Sequence, residues 1–146
     1  SIVRPFNNYG PRQNAEGSLA AIIPATAKRI QDGSKPIVEG DGEQTRDFIY
    51  VEDTVRGLIL AYEKEESRGK IINLGSGKDI SINALLQGIC DYMNYTGEWE
   101  HRPARTSDVR NLCADSKRAK ELLCFEPKIG FDEGIKKTLD WYMNRN

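Results

Sequence analysis

The chain has 146 residues, and its 21 lysine and arginine residues nearly balance 22 aspartate and glutamate residues. The resulting net charge of -1 excludes a general electrostatic attraction to nucleic acid or to an acidic membrane, so any anion site must be local. A chain of this length can bury about two-thirds of its unfolded surface, which predicts a single compact domain over residues 1–146. Cys90, Cys113 and Cys124 lack the paired close spacing of a zinc site and favour free thiols in a cytoplasmic protein.

The first segment, Ser1–Asn7, has the pattern of a strand without capping or leader residues before it. This start predicts a fragment of a larger fold, with an exposed strand edge. A polar loop follows, and Ser18 is a candidate cap for the next helix. Because Pro24 interrupts the apolar stripe, the regular helix is expected to begin only near Ile23 and to end before Gly33.

A polar turn then leads into the most distinctive strand. Pro36–Val38 predicts a short strand, and Gly40–Gly42 predicts a tight reversal that bulky residues would resist. In the strand that leaves this turn at Thr45, alternation places Arg46, Phe48 and Tyr50 on one face.

The following helix is expected to begin with Asp53 as its cap. Val55, Leu58, Ile59 and Tyr62 recur at helical spacing, and this periodicity predicts that they pack into the core.

The second half of the chain repeats the alternation of strand and helix. Ile71–Leu74 is predicted to be an apolar strand, Gly75–Gly77 a turn and Ser81 the cap of an amphipathic helix. The remaining predicted elements are a short strand at Trp99–His101, an arginine-containing loop at 102–111, a helix capped by Ser116 and a final helix striped by Phe131, Ile135, Leu139 and Tyr142. The pattern predicts an α/β fold with too few strands for a complete doubly wound sheet.

Several chemistries have no support in the sequence. It contains no Gly-x-x-Gly-x-x-Gly stretch to cradle a dinucleotide pyrophosphate, and no tyrosine has a lysine four residues later. His101 is the only histidine, so neither a serine–histidine triad nor a histidine metal cluster is supported.

Arginines provide the main candidate binding groups. A guanidinium held on a rigid strand is suited to grip a phosphate, which favours Arg46 as an anion ligand. The alternative is a surface ion pair between Arg46 and Asp47. Arg102, Arg105 and Arg110 suggest a second anion-binding segment, although a solvated basic loop would have the same composition.

Four motifs occur in an order that resembles one family. They are Arg4-Pro5-Phe6-Asn7-Asn8-Tyr9-Gly10-Pro11-Arg12-Gln13, Gly40-Asp41-Gly42-Glu43-Gln44-Thr45-Arg46-Asp47-Phe48-Ile49-Tyr50-Val51-Glu52-Asp53, Ile72-Asn73-Leu74-Gly75-Ser76-Gly77 and Arg102-Pro103-Ala104-Arg105-Thr106-Ser107-Asp108-Val109. Nearly the whole chain resembles the carboxy-terminal part of the extended short-chain dehydrogenase/reductase family, the NAD-dependent nucleotide-sugar epimerases and dehydratases. The resemblance implies a small substrate-binding lobe, with the first strand belonging to a Rossmann sheet that is otherwise missing.

The resemblance also implies roles for individual residues. In the epimerases the arginine three residues before the late-loop aspartate clamps the diphosphate, which corresponds to Arg105, and the aspartate, here Asp108, holds a ribose hydroxyl. Arg102 competes with Arg105, because related dehydratases space this loop differently. Asn7 matches an asparagine that touches the sugar nucleotide beside the nicotinamide, and Phe6 and Asn7 are the candidate cofactor contacts.

The same resemblance places the nucleotide base against two stretches of backbone. One lies before the glycine turn and includes Val38 and Glu39, and the other is Ile22 and Ile23. Asn73 is a further ribose or phosphate candidate, with a turn role as the alternative.

As a function, the resemblance implies a part of an NAD-dependent nucleotide-sugar epimerase that binds the nucleoside diphosphate-sugar. A 4,6-dehydratase is the enzymatic alternative, and a stand-alone binding module is the alternative from another class. The parent is expected to be a cytoplasmic homodimer, with its Rossmann domain supplying the NAD site and the catalytic tyrosine and lysine. The isolated chain is therefore predicted to be inactive and to bind NAD only weakly.

Overall fold

The computed structural model describes residues 1–17, 20–106 and 108–144. The described helices are α1 (Ile22–Gln31), α2 (Val51–Glu63), α3 (Ile82–Tyr92), α4 (Lys117–Leu123) and α5 (Phe131–Met143). The described strands are β1 (Ile2–Pro5), β2 (Asn8–Tyr9), β3 (Ile37–Glu39), β4 (Thr45–Asp47), β5 (Ile49–Tyr50), β6 (Ile71–Leu74), β7 (Asp79–Ser81), β8 (Glu100–Arg102) and β9 (Asn111–Leu112).

The strands form small sheets, most of them parallel pairs. β1 pairs with β6, β2 with β5 and β3 with β8, while β4 lies between antiparallel β7 and parallel β9. The α/β class predicted from the sequence is confirmed. β2, β7 and β9 are only two or three residues long, which is too short for a strand periodicity to be recognised in the sequence.

The β1–β6 pair shows how the first strand is held. Ile2 aligns with Ile71 and Pro5 with Leu74, so the first strand has a partner that the sequence analysis did not assign to it. Ile72 and Leu74 pack with residues of α2 and α4 in one of two hydrophobic clusters. Among the described strands, none pairs with the other edge of β1. The structure thus adds β6 to the Rossmann-type unit expected for β1 and retains one open edge.

The predicted limits of α1 are close to the observed ones. The helix runs from Ile22 to Gln31, and its N-cap position is Ala21. Ser18, the expected cap, lies outside the described residues. Pro24 occupies the first turn of the helix, where its missing N–H leaves no hydrogen bond unmade.

The prediction that Asp53 caps α2 is wrong. The N-cap position is Tyr50, and Asp53 lies inside the first turn with 2% of its surface exposed. Its carboxylate accepts hydrogen bonds from the backbone N–H groups of Lys128 and Ile129 at 2.9–3.0 Å. An aspartate near the start of a helix is a common N-cap residue, but the residue type alone does not reveal which backbone amide groups its carboxylate binds.

The prediction that the apolar stripe of α2 enters the core is also wrong. Val55, Leu58, Ile59 and Tyr62 are 48%, 45%, 51% and 92% exposed. The opposite, small-residue side of α2 faces the sheet instead: a Cβ placed on Gly57 would lie 2.4 Å from Leu74 Cδ1. Periodicity identifies an apolar face but not the neighbour that covers it.

We predict that this apolar face and the open edge of β1 cause self-association at high protein concentration, since both expose groups that bind other chains. Leu58→Glu should lower the association constant measured by sedimentation velocity, with little change in the midpoint of thermal unfolding. The matched control Glu63→Gln should leave association unchanged. A chain that stays monomeric at every concentration would contradict the prediction.

The larger of the two hydrophobic clusters contains a group of packed aromatic rings. Tyr9, Phe48, Tyr50 and Phe131 make edge-on or tilted ring contacts at 5.6–6.1 Å between centroids. Burial raises the pKa of Tyr9, whose hydroxyl donates to the Phe131 carbonyl. This packing fixes β4 and β5 against α1, α3 and α5.

The two serine caps differ in their contacts. Ser81 caps α3 as predicted, with its hydroxyl accepting from Ala84 N at 3.1 Å. Ser116 occupies the N-cap position of α4 without a side-chain capping bond, and its hydroxyl contacts the Gly75 backbone instead. Among the described residues, no helix combines the length and apolar character needed to cross a membrane.

Candidate functional site: an arginine-lined cleft

A cleft of about 830 Å³ lies beside α1, the end of β3, β4 and the loop after β8. Its charged lining includes Arg46, Arg102 and Arg105 together with Glu39 and Asp108. Other lining groups include Asn7, Ile22, Ile23, Arg29, Gln44 and Phe48.

Arg46 projects from the middle strand of a three-stranded sheet. Its side chain is 13% exposed, and its Nη1 donates to the carbonyls of Thr45 at 2.7 Å and Val109 at 2.6 Å. Its Nη2 forms an ion pair with Asp108. The guanidinium therefore lies against the late loop, and its described partner is Asp108 rather than the neighbouring Asp47 considered from the sequence.

Asp47 holds this strand in place. Its side chain is fully buried, and its carboxylate accepts from the backbone N–H groups of Ser76 at 2.8 Å, Gly77 at 2.9 Å and Ala114 at 3.1 Å. Its backbone carbonyl accepts from Asn7 Nδ2 at 2.8 Å. One residue thus joins β4 to three other segments, and the sequence analysis did not identify this role.

The late loop contributes the other arginines. Arg105 makes a two-point contact with Glu39: Nη2 donates to Oε1 at 2.8 Å and Nε pairs with Oε2. Arg102 Nε donates to Glu100 Oε1 at 2.7 Å, and Arg29 lies 3.4 Å from the other oxygen of the same carboxylate. The hydrogen bond from Arg102 lowers the pKa of Glu100, with smaller contributions from the nearby cations.

The glycine turn connects two residues that line the cleft, Glu39 and Gln44. Gly40 and Gly42 have φ values of 70° and 74°, a region in which side chains are strained, and a Cβ on Gly42 would overlap Asn83. Gln44 Nε2 donates to the Glu39 carbonyl across this turn at 2.8 Å. Arg110 pairs with Asp41 on the outside of the turn, so it does not line the cleft.

The cleft contains most of the residues expected to bind substrate. It includes Asn7, Ile22, Ile23, Glu39, Arg46, Arg102, Arg105 and Asp108. Val38, predicted to contact the base through its backbone, does not line the cleft and has a buried side chain, and Asn73 donates weakly to the Asp115 carbonyl at 3.4 Å. Phe6 is absent from the lining and its N–H donates to the Leu74 carbonyl.

Arg29 and Gln44 were not predicted. Arg29 lies in the last turn of α1, where a basic residue is common for reasons unrelated to binding. Its position in the cleft depends on β8 bringing Glu100 beside α1, and no local pattern carries that information.

The described residues do not fit a dinucleotide pyrophosphate site. Gly40, Gly42 and Gly77 have positive φ and form turns rather than a cradle at a helix start. At α3, the Ser81 hydroxyl already accepts from the Ala84 N–H group. Phe6 and Asn7, the candidate NAD contacts, have their backbone N–H and side-chain amide engaged by Leu74 and Asp47.

Comparison with known families identifies the chain. The profile of the GDP-mannose 4,6 dehydratase family matches residues 1–138. The chain belongs to this family. Membership confirms the resemblance to the carboxy-terminal part of the extended short-chain dehydrogenase/reductases.

Curated and solved members of the wider family show the same relationship. UDP-glucuronate 4-epimerase from Thermodesulfobacterium geofontis is 38% identical over 97% of this chain and 42% of its own length. A crystal structure of UDP-glucose 4-epimerase with UDP-glucose from Thermotoga maritima superposes with a TM-score of 0.92 at 35% identity, covering 97% of this chain and 45% of that one. A dTDP-glucose 4,6-dehydratase from Bacillus anthracis in complex with NAD gives a TM-score of 0.86 at 26% identity, covering 97% and 44%.

The chain spans about half the length of the curated relatives it matches. The fold expected from the resemblance, the small lobe of an extended short-chain dehydrogenase/reductase, is confirmed by these superpositions.

Proposed function

We propose that residues 1–146 form a domain that binds the nucleoside diphosphate-sugar of an NAD-dependent nucleotide-sugar epimerase. The observation that carries the proposal is the convergence of Arg46, Arg102 and Arg105 on one cleft from a central strand and a separate loop. Two adjacent phosphates need several permanently charged donors, and guanidinium groups bind phosphate oxygens in pairs.

Each part of the cleft suits one part of such a ligand. Arg46 and Arg105 contact the diphosphate in this proposal, and Asp108 accepts from a ribose hydroxyl. The base lies along Ile22, Ile23 and the backbone near Glu39 in this proposal, where apolar side chains and a strand end line the cleft. A cleft of about 830 Å³ falls in the range of small-molecule sites.

The sugar reaction itself is assigned to a longer protein that contains this domain. NAD would accept the hydride there, held by residues outside this chain, and the described residues act only by binding and orienting the substrate. This division agrees with the solved relatives, which are roughly twice as long.

A 4,6-dehydratase is the second candidate, favoured by the family profile and by the solved Bacillus anthracis relative. The two candidates differ in which late-loop arginine binds the diphosphate. Loss of diphosphate binding in Arg102→Ala but not in Arg105→Ala would favour the dehydratase.

The proposal is tested by calorimetric titration of UDP, dTDP, GDP and UMP into the chain. We expect saturable binding of at least one diphosphate, weakened by salt and at least about tenfold tighter than its monophosphate, since one phosphate can occupy fewer guanidinium groups. Equal binding of UDP and UMP, or no binding of any nucleotide, would contradict it. If the chain binds a nucleotide and is not part of a longer epimerase or dehydratase, the alternative of a stand-alone binding module is favoured.

We predict that the chain alone has no epimerase activity, because its sequence has no tyrosine with a lysine four residues later to act as the catalytic pair. A coupled assay with NAD and UDP-glucose or UDP-galactose should give only the background rate. Turnover above that background would place the base elsewhere in this chain.

We further propose that the parent protein is a cytoplasmic homodimer. Support for the compartment comes from Cys90, Cys113 and Cys124, which all carry free thiols in the structure. The size of the parent, measured by light scattering, tests the dimer.

A further inference from the structure

Two carboxylates of the cleft hold the two arginines assigned to the diphosphate. Glu39 pairs with Arg105 and Asp108 pairs with Arg46, and all four side chains line the same cavity. The positive charge of each guanidinium is thus already balanced by an acid on the wall of the site.

The contact between Glu39 and Arg105 has the geometry of a ligand. Two adjacent oxygens of the carboxylate face Nε and Nη2 of the guanidinium. A phosphate group binds arginine through the same two-oxygen, two-nitrogen arrangement. Glu39 therefore offers Arg105 the same two-point contact that a phosphate offers an arginine.

The second pair connects the site to the late loop. Arg46 contacts Asp108 through Nη2 and the Val109 carbonyl through Nη1, so it holds two consecutive residues of this loop. A phosphate that binds Nη2 must displace Asp108 or share the guanidinium with it.

We infer that Glu39 and Asp108 act as internal competitors for the phosphate site, so that a diphosphate binds by exchange with them. This inference rests on the proposed function and assigns to Glu39 and Asp108 a role in selecting which anions bind. An anion must carry enough charge to replace a carboxylate at each arginine, which disfavours neutral sugars and singly charged ligands.

The exchange should cost little free energy at Arg105, the more exposed of the two arginines. The Arg105 side chain is 69% exposed and that of Glu39 is 29% exposed, and ion pairs at such positions are weak and screened by salt. The competitor can therefore reduce affinity without preventing binding. Removing its charge should strengthen phosphate binding by a measurable but limited factor.

The test is calorimetric titration of inorganic pyrophosphate, which has no base or ribose, into the unaltered chain, Glu39→Gln and Asp108→Asn. We expect each variant to bind pyrophosphate about three- to tenfold more tightly than the unaltered chain, in line with loss of one partly exposed ion pair. Far-ultraviolet circular dichroism establishes that each variant retains the fold.

Glu98→Gln is the matched control, because Glu98 pairs with Lys35 and does not line the cleft. The substitution changes the net charge by the same amount as Glu39→Gln and Asp108→Asn. Its pyrophosphate affinity should equal that of the unaltered chain. Equal tightening in Glu98→Gln would show a general charge effect and overturn the inference.

The results also separate this inference from the proposed function. Binding of pyrophosphate by the unaltered chain with unchanged or weaker binding by both Glu39→Gln and Asp108→Asn overturns the inference and leaves the proposed function standing. Binding only by the variants supports the inference. No binding by the unaltered chain or by any variant overturns the inference, and the nucleotide titrations then decide the proposed function separately.

Discussion

Asp47→Ala should lower the free energy of unfolding by about 2–4 kcal/mol, because the buried N–H group of Ala114 and the less buried N–H groups of Ser76 and Gly77 would all lose their acceptor. Domains are commonly stable by only about 5–15 kcal/mol, so this single change should remove a large fraction of the stability. Urea denaturation followed by tryptophan fluorescence measures the loss.

Substitutions at Asp47 should destabilise the fold to different degrees, according to how many acceptor oxygens they keep. Asp47→Asn keeps one acceptor oxygen near the same amide groups, so it should cost less than the alanine change. The control is Asp79→Ala, which lies opposite Asp47 on the neighbouring strand but is exposed. Its carboxylate accepts one exposed hydrogen bond from the Thr45 hydroxyl, so we expect its loss to cost no more than about 1 kcal/mol. If Asp47→Ala and Asp79→Ala are equally stable, the backbone contacts of Asp47 do not stabilise the fold.

The sequence predicts elements whose signals are local. The amphipathic helix predicted after Ser81 is observed, with Ile82, Leu85, Leu86 and Ile89 buried, and the Ser81 hydroxyl caps it by accepting from the Ala84 N–H group. The limits of α1 follow from Pro24 and Gly33 in the same way. In each case the determining residues lie within a few positions of the element that they shape.

Features that depend on partners distant in sequence were not predicted. Asp53 was taken for a cap because its partners, Lys128 and Ile129, lie 75 and 76 positions away. Asp47 left no signal because its carboxylate binds backbone amide groups, which every residue type except proline provides.

The candidate site shows the same division. The motifs led to Arg46, Arg105 and Asp108, and the structure places all three in one cleft. The ion pairs that occupy these arginines could not be predicted, because they depend on β3 lying beside β8 and on β4 lying beside β9. The roles of these residues in binding remain predictions that mutagenesis can test.

Arg46→Ala and Arg105→Ala should each weaken binding of a nucleoside diphosphate by about ten- to hundredfold, because each removes one charge-assisted contact worth about 1.5–3 kcal/mol. In an intact parent enzyme, NAD affinity should remain nearly unchanged. Calorimetric titration with the diphosphate and its monophosphate measures the effect for each variant.

Arg46 should be the less tolerant position. Its guanidinium is only 13% exposed and also donates to the carbonyls of Thr45 and Val109, so its loss removes a contact and loosens the late loop. Arg46→Lys should restore only part of the affinity, because an ammonium group cannot supply two parallel donors. Arg105, which is 69% exposed, should tolerate lysine better.

Arg68→Ala is the matched control, since Arg68 is an exposed arginine paired with Glu65 and does not line the cleft. Its diphosphate affinity should match that of the unaltered chain, which separates a local clamp from a general loss of positive charge. If Arg46→Ala and Arg105→Ala both bind the diphosphate as tightly as the unaltered chain, the assignment of these two arginines to the diphosphate is wrong. A loss in Arg46→Ala alone would keep the strand arginine as a ligand and limit Arg105 to its ion pair with Glu39.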